Sequence, residues 1–227
     1  MQVMKIAVIH GQQHQGSTYH ITHMLLEQLP CEKEDIQEFY VNHLEHCVGC
    51  VGCVMKGEQA CPHHSDIVPI AKAMEAADVI VINSPTYCLS MSGQLKTFFD
   101  HMCYRFMNHR PHPAMKDKIG IAISTTAGAG ANNTTAQIAK QLSWWNVGKI
   151  YQLPFTVSAT SWEEMSEKKK EGAKKRTGKI AKAIPKKMGH VKPGVKQRFL
   201  FFMMKQMQKG MGYSPADMDW WKRQGWL

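Results

Sequence analysis

Continuous Val and Ile runs, most clearly Asp78-Val-Ile-Val-Ile-Asn83, recur along the first two thirds of the chain with amphipathic helical patterns between them. A strand with one wet face alternates apolar and polar residues, whereas a strand covered on both faces does not. Parallel neighbours also need a long crossover, usually a helix. The pattern predicts strands over residues 4–10, 35–41, 78–83, 119–124 and 151–158, and helices over 21–29, 67–77, 93–101 and 136–144. Ile67, Ile70, Ala71 and Met74 share one face of the second helix. The expected fold is α/β: a doubly wound, five-stranded parallel sheet with helices on both faces and a C-terminal helical extension. At 227 residues the chain can bury a full core, and the expected layout is a domain over 1–185 followed by an extension over 186–227.

Charge divides the chain in the same way. Residues 1–150 hold 11 Lys/Arg against 12 Asp/Glu, and residues 151–227 hold 17 against 6, so the formal +10 lies in the tail. No run reaches the roughly 18 apolar residues of a membrane span, and no basic-then-apolar signal opens the chain, so a soluble cytoplasmic protein is expected.

In such sheets ligands sit outside the carboxyl ends of the strands. The first of these ends opens into Gly11-Gln-Gln-His-Gln-Gly16-Ser17-Thr18 just ahead of a helix. First-turn N–H groups lack partners inside a helix and carry partial positive charge, so a phosphate dianion suits them. Taken alone, the loop also fits an ordinary turn capped by Ser17 or Thr18. The loops after the next clear strands are Ser84-Pro85-Thr86-Tyr87-Cys88-Leu89-Ser90 and Thr125-Thr126-Ala127-Gly128-Ala-Gly130, both small, hydroxyl-rich and uncharged. A phosphate cradle with uncharged loops suggests a mononucleotide, since a hydrolase would place carboxylates or His there.

The strand-HGxxxxGST opening, the Ser84–Tyr87 stretch with Ser92-Gly-x-Leu-Lys-x-Phe-x-Asp100, and the Thr-Thr-Ala-Gly-Ala-Gly loop together resemble the NAD(P)H-dependent FMN reductase branch of the flavodoxin-like superfamily over residues 4–135. The resemblance implies a non-covalent FMN. Its phosphate would lie on Gly11, Gln12, His14, Gly16, Ser17 and Thr18. Its ring would lie against Pro85, Thr86, Tyr87, Cys88, Leu89 and Ser90 and against Thr125, Thr126, Ala127 and Gly128. Where many members carry Ser and Arg this chain has Gln12 and His14, which implies a weaker charge opposing the phosphate and a larger share for Ser17, Thr18 and the helix start. A His14 in contact with phosphate would add a pH dependence.

Cys47-Val-Gly-Cys50-Val-Gly-Cys53 is followed by Cys61 after seven intervening residues. Three thiolates at two-residue gaps can turn toward one point, and a fourth from a Gly-containing loop can close the shell. Tetrahedral zinc suits the same donors, and reduced thiols that merely pack are the third reading. The spacing is similar to that of iron-sulfur flavoproteins, a subgroup of the same family in which four cysteines hold a [4Fe-4S] cluster beside FMN. A disulfide framework does not suit a large cytosolic chain. Cys88 falls in the ring loop; Cys31 and Cys103 read as packing residues. The 12 histidines show no HExxH spacing and read as surface or core residues.

Residues 163–187 read as a solvated Lys/Glu helix closing the sheet. The Phe199-Leu-Phe-Phe-Met-Met204 run with Trp220, Trp221 and Trp226 needs a partner, with a homodimer or homotetramer contact ranked first and an anionic membrane surface behind it. No nucleic-acid module is present in the sequence. The basic tail also suits acidic partners, ferredoxin and the phosphates of NADPH among them. Two functions follow: an FMN oxidoreductase passing electrons from NAD(P)H or reduced ferredoxin to a small acceptor such as a quinone, nitro compound, metal ion or flavin, or a non-catalytic carrier like a flavodoxin. A zinc-stabilised binding module is the third. No acid-base residue is obligatory, because the cofactor carries the chemistry.

Overall fold

The computed structural model describes residues 3–212 and 214–227. Among them β1 (Ile6–His10), β2 (Ile36–Tyr40), β3 (Val79–Pro85), β4 (Ile119–Thr126) and β5 (Lys149–Thr156) form one all-parallel sheet in the order β2-β1-β3-β4-β5. The connecting helices are α1 (Ser17–Leu26), α2 (Gly52–Met55), α3 (His64–Ala76), α4 (Gly93–His101) and α5 (Ala131–Trp144), and α6 (Glu167–Ala183), α7 (Val195–Met211) and α8 (Pro215–Arg223) follow the last strand. Because β2 and β3 flank β1 on opposite sides, the winding reverses there and a crevice opens at the carboxyl ends of the strands.

The unbroken apolar runs send alternate side chains to opposite faces. Ile6, Val8, Val79, Val81, Ile119 and Ile121 pack with Ile21 and Leu25 of α1 and Ala173 and Ala181 of α6. Ala7, Ile9, Ile80, Ile82 and Ala122 pack with the α3, α4 and α5 side, including Ile70, Met74, Leu95, Phe98, Ile138 and Leu142. Val79, Ile80, Val81 and Ile82 are all 0% exposed, and each such burial is worth about 1.5–3 kcal/mol. Polar alternation in β3 would put a polar side chain into one of these two cores.

Boundaries move where the sequence signal is polar. α4 matches its expected span, but α1 starts at Ser17, four residues ahead of Ile21, and ends at Leu26. Gly16 is its N-cap, so Ser17 and Thr18 lie in the first turn and neither caps it. α3 begins at His64 and α5 at Ala131, each ahead of the apolar repeat that signals it. Gly130, at φ +102°, sets the start of α5: a Cβ there would be strained and would lie 2.8 Å from Thr86 Cγ2. β3 and β4 each extend two residues further than expected, and their register pairs Pro85 with Thr125, drawing the two loops together. β1 and β2 are shorter than expected, β5 begins two residues earlier, and α6 is trimmed at both ends relative to 163–187.

Helical periodicity divides the Phe199–Met204 run. Phe201 turns inward, its ring centroid 5.3 Å from Trp221 and 5.0 Å from Trp226. Phe199, Phe202 and Met203 stay 62%, 53% and 44% exposed on the outer face of α7. Gln197 Nε2 donates to the carbonyls of Ser143 and Val147, which fixes α7 against the end of α5. Among the described residues no helix is long and apolar enough to cross a membrane.

Candidate functional site

The crevice holds a cavity of about 300 Å³ lined at one end by Gln12, His14, Gly16, Ser17 and Thr18 and at the other by Pro85, Thr86, Tyr87, Thr125, Thr126 and Ala127. Among the described residues no side chain caps α1. Its first turn carries no acid, so the N–H groups there remain available to an anion. Thr18 Oγ1 hydrogen bonds Thr125 Oγ1 at 2.6 Å, which ties the helix start to the end of β4. Thr86 Oγ1 lies 2.9 Å from Ser124 Oγ and 3.0 Å from Thr134 Oγ1, and its N–H donates to the Thr125 carbonyl.

Five of the residues expected at the cofactor lie off the cavity wall. Gly11 is buried beneath it: its N–H donates to Asn83 O at 2.8 Å, and a Cβ would lie 2.9 Å from Asn83 O, Leu95 Cβ and Ser92 Oγ. Its role is close packing of the loop on α4. Cys88 and Leu89, at φ +48° and +61°, form the exposed tip of a turn closed by reciprocal Tyr87–Ser90 backbone hydrogen bonds. That position leaves Cys88 neither packed nor lining the cavity. Ser90 Oγ points away to Gln137 Oε1 at 2.8 Å, and Gly128 is exposed, with open space where a Cβ would stand. Conversely, His10, Tyr19, Asn83, Val157, Ala159 and Thr160 line the cavity and were not expected. His10 and Asn83 end β1 and β3, where the rule that ligands meet strand ends could have flagged them.

His10 is 1% exposed. Asn83 Nδ2 donates to its Nδ1 at 2.9 Å, so its proton is on Nε2, which reaches Glu38 Oε2 at 2.6 Å. Glu38 Oε1 lies 3.4 Å from His23 Nε2, and the His10 ring stacks on Tyr40 at 4.6 Å. Hydrogen bonds from His10 and then His23 hold the Glu38 carboxyl down to about 2, and Glu38 in turn raises His23. A depressed carboxyl contributes stability above its ordinary value of 4.5, and that contribution is lost as pH falls toward about 2. The raised His23 acts oppositely: its contribution is present below the ordinary 6.5 and is lost as pH rises through the raised value. Glu38→Gln is therefore expected to lower the melting temperature at neutral pH and to flatten its fall on acidification. Parallel acid limbs in the two proteins would refute this role for Glu38.

The cysteine motif folds around α2, with Cys47 and Cys50 exposed, Cys53 buried and Cys61 partly buried. Val51, at φ +51°, is the N-cap of that single turn. Cys53 Sγ lies 3.7 Å from Cys103 Sγ, and Cys61 Sγ lies 3.8 Å from His101 Nδ1. The shared hydrogen bond holds the Cys53 thiol below and the Cys103 thiol above the ordinary value, and burial raises Cys61. Among the described residues no three His, Cys, Asp or Glu side chains stand close enough together to hold a metal ion.

Behind this loop lies a buried network that the sequence did not announce. Arg110 and Asp217 have side chains 2% and 0% exposed and meet at 2.5 Å. Arg110 also donates to the carbonyls of Val54 (3.1 Å) and Cys53, and Asp217 Oδ2 lies 2.8 Å from His109 Nδ1. Each of these contacts joins residues more than fifty positions apart, so no local spacing signals it.

The sequence pattern of the family described as NADPH-dependent FMN reductase matches residues 4–161, well over half the chain. The chain belongs to this family. It is an FMN-dependent oxidoreductase with a flavodoxin-like fold. It is similar to an iron-sulfur flavoprotein of Archaeoglobus fulgidus, 26% identical over 187 residues, 81% of this chain and 80% of that one. A second iron-sulfur flavoprotein, from Methanocaldococcus jannaschii, is 27% identical over 144 residues, 60% of this chain and 67% of that one. Among solved structures a flavone reductase superposes with a TM-score of 0.59 at 19% identity, covering 84% of this chain and 66% of its own, which speaks to the fold.

The residues of this chain fit the family's cofactor. An uncapped helix start suits a phosphate, and the uncharged, threonine-rich far end of the cavity suits a flat heteroaromatic ring. Cys47, Cys50, Cys53 and Cys61 lie on one stretch of chain around α2, but among the described residues their thiols do not converge on one point: Cys53 faces Cys103 and Cys61 faces His101.

Proposed function

We propose that this FMN reductase passes electrons from NAD(P)H or reduced ferredoxin to a small-molecule acceptor such as a quinone, nitro compound, metal ion or flavin, with a [4Fe-4S] cluster on Cys47, Cys50, Cys53 and Cys61. The observation that carries the reading is an uncapped α1 opening onto an uncharged cavity at the strand ends, on the same chain as a four-cysteine loop. FMN, when bound, supplies the exchange between hydride and single electrons.

Everything else falls to the chain. The first-turn N–H groups of Ser17 and Thr18 hold the phosphate, with His14 at its edge; Gly11 packs the loop down so that they face the cavity. Pro85, Thr86 and Tyr87 on one wall and Thr125, Thr126 and Ala127 on the other orient the ring, and the absence of charge from these two loop sequences leaves its tuning to backbone donors. The reading assigns residues 1–185 to the FMN domain, residues 186–227 to an extension, and the exposed stripe of α7 to a homodimer or homotetramer contact. The cluster is supported by the donor set and by the names of the two relatives.

The test is anaerobic purification with FMN, iron, acid-labile sulfide and zinc measured on one sample, followed by NADPH and NADH oxidation. One FMN with about four irons per chain and nicotinamide oxidation is expected. FMN without iron after reconstitution would remove the cluster, zinc in its place would make the loop structural, and no FMN uptake would overturn the reading.

A further inference from the structure

We propose that α8 is a clasp on the cysteine loop: Asp217, acting through Arg110, positions Cys53 and so governs whether the loop retains a four-thiolate group. The retention half of this statement rests on the function proposed above; the clasp itself does not.

The need for a clasp is local. α2 has four residues, too few to sustain a helix in isolation, and its N-cap sits in the left-handed region where a β-branched Val is disfavoured. The last carbonyls of a helix have no partner inside it and attract a cation. Arg110 meets that need with one planar group, donating to Cys53 O and Val54 O while its remaining contacts reach Asp217 and, at 3.3 Å, Glu58. Ser214 Oγ, at the N-cap of α8, donates to Val54 O at 3.0 Å as well. α8 is itself pinned, since Trp221 Nε1 donates to His109 O at 2.5 Å and Trp220 Nε1 to Pro111 O at 3.0 Å.

Cys53 is thus the member of the quartet whose backbone is held from behind, while Cys47 and Cys50 stand exposed on the open side. A loop with one anchored thiol and two free ones needs less reorganisation to close on a cluster than a loop with none, and the anchor is delivered by the last helix of the chain. Asp217 and Arg110 are positioning residues in this scheme, acting on the ligand through the backbone of α2.

Arg110→Lys separates the clasp from the fold. It keeps the charge that pairs with Asp217, but an ammonium cannot span a carboxylate and two carbonyls as the planar guanidinium does. The full chain is treated with iodoacetamide, and modification of Cys53 is followed by peptide mass spectrometry, before and after removal of metal with a chelator. Iron and FMN per chain are measured alongside. Cys53 in the metal-free variant is expected to react about tenfold faster than in the wild type, the response to a local opening made easier. Iron per FMN is expected to fall while FMN content and the cooperativity of melting hold. Ser214→Ala, which removes one contact and leaves the ion pair, is expected to give a smaller change in the same direction and serves if Arg110→Lys does not fold.

Unchanged Cys53 reactivity in both variants would overturn the clasp. Faster reaction with undiminished iron would overturn the retention half. A wild-type protein that never binds iron would sink the cluster reading while leaving the reactivity comparison to decide the clasp.

Discussion

Replacing Asp217 with Ala is expected to cost about 3–5 kcal/mol of unfolding free energy, because it removes the buried carboxylate of the Arg110 pair and leaves that buried guanidinium only the partly exposed Glu58 at 3.3 Å. Single-domain stabilities run about 5–15 kcal/mol, so the variant would sit near the margin. A fall in Tm on the order of 10 °C is expected for a chain of this size. The loss goes beyond the ion pair: Asp217 Oδ2 also meets His109 Nδ1 at 2.8 Å, so α8 and the cysteine loop loosen together. Chemical denaturation of the two proteins at equal FMN loading measures it. A difference below about 1 kcal/mol, typical of exposed pairs, would mean that water reaches Arg110 and that the pair is not buried in solution.

Ser17→Asp is expected to abolish FMN retention without harming the fold. An acid in the first turn of α1 complements the helix dipole and adds a few tenths of a kcal/mol or more to the helix. The same carboxylate would face a phosphate dianion, and like charges about 4 Å apart at an effective dielectric constant near 20 repel by about 4 kcal/mol. Even after screening this predicts FMN binding at least about 100-fold weaker. Apo-protein titrated with FMN and followed by flavin fluorescence quenching gives the affinity, and thermal melting of apo-protein gives the fold. Undiminished affinity would move the phosphate away from α1. A lower apo-protein Tm would instead show that Ser17 has a structural task.

The flavodoxin-like sheet was legible because its signal is one of composition and period. Val79 to Ile82 must be apolar throughout when both faces are covered, and the 3.6-residue repeats of α3 and α4 mark their buried sides. Loops at the strand ends were legible for the same reason: Gly, Ser and Thr in place of apolar residues show where the backbone must stay accessible. Helix starts were misplaced because first turns are polar and make no apolar repeat, as at Ser17–His20 and Asn132–Thr135. Not every residue of these loops faces the cavity. Cys88, Leu89, Ser90 and Gly128 share the composition of the cavity wall, yet chain direction at a two-residue turn tip and at an exposed Gly carries them away from it.

By itself the sequence determined the class of fold, the number of strands and the edge of the sheet that carries the cavity, since each is written in the spacing of neighbouring residues. Only the tertiary structure decided that His10, Glu38 and His23 meet beside the cavity, that Gly11 packs against Asn83, Ser92 and Leu95, and that the last helix reaches back to hold Cys53 through Asp217 and Arg110. Those contacts join residues up to 107 positions apart. Hydrogen bonds and ion pairs of that kind leave no period in the chain, because they are specified by the relative placement of whole elements and not by the identity of near neighbours.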